Sequence, residues 1–239
     1  MPDKKTVIPS EEARPSAAAL SGAMIDAFVA RAKEAGTGKR ARLIFALDAT
    51  MSRQPTWDLA CRVQGEMFET ASAVGGLSVQ LVYFRGFGEC RASRWAIEPR
   101  ALTDLMAGIA CRGGQTQIGR VLRHVRNEAA SAPVRALVYV GDAMEEPVDA
   151  LCAVAGELGL LGIKAFMFQE GHDAAAAAAY AEIARLSGGA YARFDAGAPR
   201  SLAGLLRAAA AYASGGEDAL RRLASREPEA RGLIGAMKR

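Results

Sequence analysis

Apolar residues recur along this chain in two rhythms. Short unbroken runs, Arg42–Leu47, Leu77–Phe84, Ala136–Val140, Ile163–Phe168 and the brief Tyr191–Phe194, read as buried strands. Between them lie segments whose apolar positions fall three and four residues apart, the spacing of a helix with one buried face. These predict helices from Pro55 to about Val74, then Pro99–Ala110, Thr116–Ala130, Pro147–Leu158, Ala174–Leu186 and near Ser201–Ala213. Gly75-Gly76 stops the first of them. Gly86-Phe87-Gly88 turns the second strand into Cys90–Trp95, which predicts a hairpin and hence one antiparallel edge strand. Strand and helix otherwise alternate, so the expected class is α/β: an open, Rossmann-like sheet of about six mostly parallel strands with helices on both faces.

The ends of the chain have a different texture. Residues 1–18 are polar with three prolines and read as a disordered arm; residues 19–38 hold a helix, Leu20 to Glu34, before Gly36-Thr37-Gly38. Residues 40–215 form the domain, and 216–239 read as a charged, frayed helical tail.

Composition narrows the class. Hydrophobic residues make up 51%, enough for a sizeable core, yet no apolar stretch is long enough to span a bilayer, and Met1-Pro2-Asp3-Lys4-Lys5 lacks the apolar centre of an export signal. Cys61, Cys90, Cys111 and Cys152 are far apart without a Cys-x-x-Cys pair, so they are expected as reduced thiols rather than bridges or a zinc site. The expected compartment is the cytoplasm. A net charge of +4 is small and its basic residues are interspersed with acids, which argues for a solvated surface and against a nucleic-acid partner. The Ala- and Arg-rich composition suits a bacterial chain.

Candidate chemistry lies where the strands end. Asp48-Ala49-Thr50-Met51-Ser52 places a carboxylate and two hydroxyls at alternate positions directly after the first strand. Hard oxygens of this kind suit a hard cation such as Mg2+, which favours octahedral oxygen coordination. A second donor, Thr116, follows Gly113-Gly114 at a loop-to-helix junction. A third, Asp142, follows the strand Ala136–Val140 and Gly141. Ligands of open parallel sheets bind beyond the carboxyl ends of the strands, so three chain-distant segments are expected to meet on one rim.

Asp-x-Thr-x-Ser, a distant Gly-Gly-x-Thr and a later strand-end Asp resemble the metal-ion-dependent adhesion site of von Willebrand factor type A domains. The resemblance covers residues 40–215. Thr50 stands where Ser is usual, and Gly141-Asp142-Ala143 departs from the usual Thr-Asp-Gly or Ser-Asp-Gly. It implies that Asp48, Thr50, Ser52, Thr116 and Asp142 hold Mg2+, with Mn2+ as a substitute. It further implies direct coordination by the hydroxyls of Thr50 and Ser52, with Thr116 joining in one state, while the aspartates act largely through water. An Asp or Glu from a partner protein would fill the vacant position. Intracellular bacterial relatives act as adaptors or subunits beside ATPases or chaperone-type complexes, which is the partner class implied.

Other readings compete. Asp48, Thr50 and Ser52 could cap the following helix. An Asp after a first strand is also where phosphoryl-transfer hydrolases place a nucleophile, but those want Asp-x-Asp-x-Thr, and position 50 is not acidic. No nucleophile elbow or phosphate loop is present, so catalysis is not expected. Glu145 and Glu146 read as rim charges rather than ligands, and His124 as structural. His172 reads as a loop or cap residue, and Arg85, Arg91, Arg94 and Trp95 as a charged, protected edge strand. Met51 and Trp57 could be exposed rim or packed.

Overall fold

The computed structural model describes residues 40–51, 54–73, 75–195 and 199–238. The predicted arm and first helix, residues 1–38, lie outside them, as does Ser52. Six strands form one sheet: β1 (Ala41–Asp48), β2 (Leu77–Arg85), β3 (Glu89–Ala96), β4 (Ala136–Gly141), β5 (Lys164–Glu170) and β6 (Ala190–Phe194). Their order is β3-β2-β1-β4-β5-β6, every pairing parallel except β2 with β3 at the edge. The mixed α/β sheet expected from the pattern is therefore the one present.

Eight helices are present among the described residues: α1 (Gln54–Val63), α2 (Gly65–Ser72), α3 (Pro99–Ala107), α4 (Ile118–Ser131), α5 (Val148–Leu160), α6 (Ala174–Ser187), α7 (Pro199–Ala224) and α8 (Pro228–Met237). The side chains of β1 alternate between two cores, as the pleat requires. Leu43, Phe45 and Leu47 pack with α1, α2, α3, α7 and α8; Ile44 and Ala46 pack with α4, α5 and α6. From β1 the chain crosses to β2 through α1 and α2 on one face. From β4 it crosses the opposite way to β5 through α5 on the other face. Right-handed crossovers running in opposite directions must use opposite faces. The reversal falls between β1 and β4, and a crevice opens there at their carboxyl ends.

Three expectations are corrected. The helix predicted from Pro55 to Val74 breaks at Gln64, which is buried and donates its amide to Pro99 O (3.2 Å) and Thr103 Oγ1 (2.6 Å). Gln64 itself keeps helical φ and ψ and donates its N–H to Ala60 O (3.0 Å), so the interruption is local. The helix expected to begin near Thr116 begins at Ile118, which leaves Thr116 in the loop. The frayed tail is not frayed. Gly215 and Gly216 break α7, and the chain then continues with Leu220, Ala230 and Leu233 buried in the first core. Pro228 stands in the first turn of α8, where its missing N–H costs nothing and its fixed φ favours the helix. Arg207 ties α7 to both Glu66 and Glu227, so charge in this segment serves packing.

Candidate metal centre

Asp48 is the last residue of β1, buried to 3% exposure. The loop that follows is fixed from two sides. Ala49 N–H donates to Phe84 O of β2 (3.0 Å), and Ala49 O accepts from Arg112 N–H (2.9 Å) in the segment leading to Thr116. Thr50 N–H donates to Asp48 Oδ1 at 2.7 Å, which orients the carboxylate; the Thr50 side chain is itself buried. Met51 stands 65% exposed on the rim, whereas Trp57 is packed, its indole N–H donating to Met106 O (3.3 Å).

Gly114 brings the second segment against the β2–β3 turn. A Cβ on Gly114 would lie 2.3 Å from both Gly86 N and Gly86 O, so only glycine permits this backbone approach. Gln115 N–H donates to Gly86 O (3.2 Å), and the buried Gln117 amide reaches Arg85 O, Gly86 O and Glu89 O at 3.3–3.5 Å. Thr116 is thereby held buried two residues ahead of α4.

The third segment clamps the second. Glu145 N–H donates to Thr116 Oγ1 (3.2 Å), while Thr116 N–H donates to Glu145 Oε2 (3.1 Å). The Glu146 carboxylate accepts from Ile118 N–H and from Gly119 N–H (3.0 Å). Gln117 makes no side-chain cap, so a residue from another loop satisfies the first turn of α4, where a negative charge also meets the positive end of the helix. Glu145 and Glu146, expected as rim charges, instead join the Thr116 loop to the Asp142 loop. A carboxylate some 28 residues away in sequence leaves no local signature of such capping.

Asp142 is half-buried, one residue past β4, and Tyr180 O–H fixes the next carbonyl, Ala143 O, at 2.7 Å. In the register of β1 and β4, Leu47 pairs with Val140, so Asp48 and Asp142 end adjacent strands. Asp48, Thr50, Thr116 and Asp142 line one cavity of about 190 Å³ together with Met51 and Glu145. Four of the five predicted ligands thus converge; Ser52 lies outside the described residues. Among the described residues no three His, Cys, Asp or Glu side chains gather as a ligand cluster. The polar side chains of the lining offer oxygen donors alone, the Asp48, Asp142 and Glu145 carboxylates and the threonine hydroxyls, which fits a hard oxygen-seeking cation and not a soft metal.

The remaining candidates have structural surroundings. His124 Nε2 lies 2.8 Å from Gln80 Oε1, and burial lowers its pKa. His172 is exposed, and it is Asp173 that caps α6, accepting from Ala176 N–H at 2.6 Å. Arg85 pairs with Glu89 (2.9 Å) and donates to Ala110 O (2.6 Å). Arg91 pairs with the same Glu89 (2.9 Å), and the Arg42 guanidinium lies 3.8 Å over the Trp95 ring. Arg94 is exposed. The four cysteines are free thiols, and burial raises the pKa of Cys61, Cys90 and Cys152.

No family model matches the chain, and no curated protein matches it. Solved structures do. An aerotolerance-related membrane protein from Bacteroides fragilis superposes with a TM-score of 0.55 at 17% identity, over 71% of this chain and 98% of that one. The VWA domain of SpRpn10 gives 0.54 at 8% identity, over 69% and 95%. Proximal thread matrix protein 1 from the mussel byssus, in a structure with a zinc-occupied MIDAS motif, gives 0.55 at 16% identity, over 72% of this chain and 48% of that one. Identities this low speak to fold alone. Together with the strand order and the single antiparallel edge, they show that this chain has the von Willebrand factor type A fold.

Proposed function

We propose that the chain is a metal-dependent protein-interaction module. In this reading Asp48, Thr50, Ser52, Thr116 and Asp142 hold Mg2+, or Mn2+, and the bound ion accepts an Asp or Glu carboxylate from a partner. The observation that carries it is the convergence of four of these side chains, from three chain-distant segments, on one cavity at the sheet's carboxyl rim. The balance of donors supports it further. With the hydroxyls of Thr50, Ser52 and Thr116 as direct ligands and both aspartates acting through water, the ligands touching the ion are neutral and leave it able to accept an external carboxylate, while Glu145 and Glu146 are engaged by backbone N–H groups. A metal-ion site of the same fold holds zinc in the mussel protein, which supports a divalent ion here.

The chain is read as non-catalytic because Thr50 stands where phosphoryl-transfer hydrolases of the Asp-x-Asp-x-Thr kind carry the second carboxylate that serves as general acid. Four free cysteines suit the reducing cytoplasm. No helix among the described residues is long and apolar enough to cross a membrane. A subunit or adaptor beside an ATPase or chaperone-type complex is the role this reading favours.

Calorimetry with Mg2+ and Mn2+ tests the site. One ion should bind wild type and raise its melting temperature; at a hundredfold excess over Kd the gain is about 2.7 kcal/mol. Asp48→Ala should abolish both effects and still fold. Equal binding by the two proteins would remove the assignment. For the partner, proteins captured in Mg2+ should be released by chelator and lost with Thr116→Ala. Metal-dependent phosphatase turnover that Asp48→Asn destroys would hand the site to a hydrolase.

A further inference from the structure

Beneath the cavity lies a buried hydroxyl that the metal reading leaves unexplained. Tyr139, in the middle of β4, is fully buried, and its hydroxyl has no partner at good hydrogen-bonding geometry, although the Tyr180 hydroxyl lies close by. A buried polar group left in that state costs about 1–3 kcal/mol, so its retention asks for a reason.

Register shows where the hydroxyl lies. Ala46 of β1 pairs with Tyr139 of β4. Two residues further along each strand come Asp48 and Gly141, on the same face of the sheet because side chains alternate. The phenol ring runs up the sheet towards that next level, stacked on Phe84 (centroids 6.2 Å) and edge-on to Tyr180 (5.3 Å). At Gly141 no side chain stands in its way. A Cβ there would lie 2.9 Å from the Tyr139 hydroxyl and 2.8 Å from the Tyr180 hydroxyl. Gly141, just before the strand-end Asp142, therefore makes room for two tyrosine hydroxyls under the ligand rim.

The two hydroxyls differ in their engagement. Tyr180 O–H donates to Ala143 O at 2.7 Å and so steadies the Asp142 loop. A tyrosine hydroxyl keeps its proton at neutral pH, so Tyr139 is available as a donor. Asp48 sits one level above it on the neighbouring strand, on the same face of the sheet.

Resting on the metal reading above, we infer that Tyr139 is a positioning residue for the ion site: its hydroxyl donates to the Asp48 carboxylate, directly or through one water, when the site is loaded. A fixed carboxylate then presents its remaining lone pairs to the ion or the ion's waters, as partners behind metal ligands generally do. Tyr139 itself does not touch the ion.

Tyr139→Phe keeps the ring and removes the donor, and three proteins decide the matter: wild type, Tyr139→Phe and Asp48→Ala. The probe is Mg2+ alone, followed by calorimetry and by tyrosine near-ultraviolet difference absorption. Tyr139→Phe should weaken Mg2+ by about tenfold, the worth of one hydrogen bond to a charged group. Its melting temperature without metal should stay level or rise, because a buried hydroxyl without a partner at good geometry is gone. Mg2+ should also perturb the tyrosine spectrum of wild type but not that of Tyr139→Phe. Wild-type affinity in Tyr139→Phe would overturn the inference while leaving the metal site intact, provided Asp48→Ala still loses the ion. Weaker binding accompanied by a lower metal-free melting temperature would overturn it too, since the hydroxyl would then be serving packing alone. Failure of wild type itself to bind Mg2+ would remove both readings together.

Discussion

Gly114→Ala tests how the rim is held. The added methyl would lie 2.3 Å from Gly86 N and O and 2.6 Å from Gly86 C, all backbone atoms that no rotamer change can move. Carbon contacts settle near about 3.5 Å, so the Gly114 loop and the β2–β3 turn must part by roughly 1 Å. Overpacking of this kind costs about 1–3 kcal/mol. Parting the loops also stretches the hydrogen bond from Gln115 N–H to Gly86 O, now 3.2 Å, which is worth about 1 kcal/mol. The total is about 2–4 kcal/mol, and for a domain of this size each kcal/mol lowers the melting temperature by about 2–4 °C. Differential scanning calorimetry should therefore show a fall of about 4–16 °C. Gly113→Ala is the control, since a Cβ there meets nothing within 4 Å and should leave the protein unchanged. Thr116 lies two residues beyond Gly114, and Mg2+ tolerates little departure from roughly 2.0–2.1 Å. Mg2+ affinity should thus fall by more than about tenfold, even well below the melting range. Gly114→Ala melting within about 1 °C of wild type, with Mg2+ bound as tightly, would refute the claim that this approach positions the ligand loop.

Two further outcomes follow from the packing. Leu233→Ala in α8 should cost about 2–5 kcal/mol in urea unfolding, as for a fully buried leucine; a loss near zero would restore the view of this segment as a loose tail. His124 is half-buried with its pKa lowered by burial below the ordinary 6.5, so the unfolded chain takes up a proton that the native state resists. Its contribution is present above that value and is lost as pH falls through it towards the folded pKa; urea midpoints should drop from about pH 7.5 to 5.5, less steeply in His124→Gln, and equal slopes would exclude His124 as the cause.

The linear sequence determined the kind of structure this chain forms. Apolar runs such as Leu43–Leu47 and Ala136–Val140 are too continuous for half-exposed strands, and glycine pairs punctuate them where the backbone must turn. Those local rules were enough to place the parallel strands, the antiparallel edge at Gly86-Phe87-Gly88 and the oxygen donors at Asp48, Thr50, Thr116 and Asp142. Segments whose conformation depends on a distant partner were not legible. The Gln64 amide is buried because it finds Pro99 and Thr103, and α8 is ordered because Ala230 and Leu233 reach a core built by other elements. Glu146 caps a helix that begins 28 residues before it, and Tyr139 looks like ordinary strand filling until Gly141 and Tyr180 are seen around its hydroxyl. Capping, close approach and burial of a polar group are relations between surfaces that only folding brings together. The sequence therefore specified which atoms are available at the rim, and the tertiary structure decided which of them face the cavity and which are engaged in holding it open.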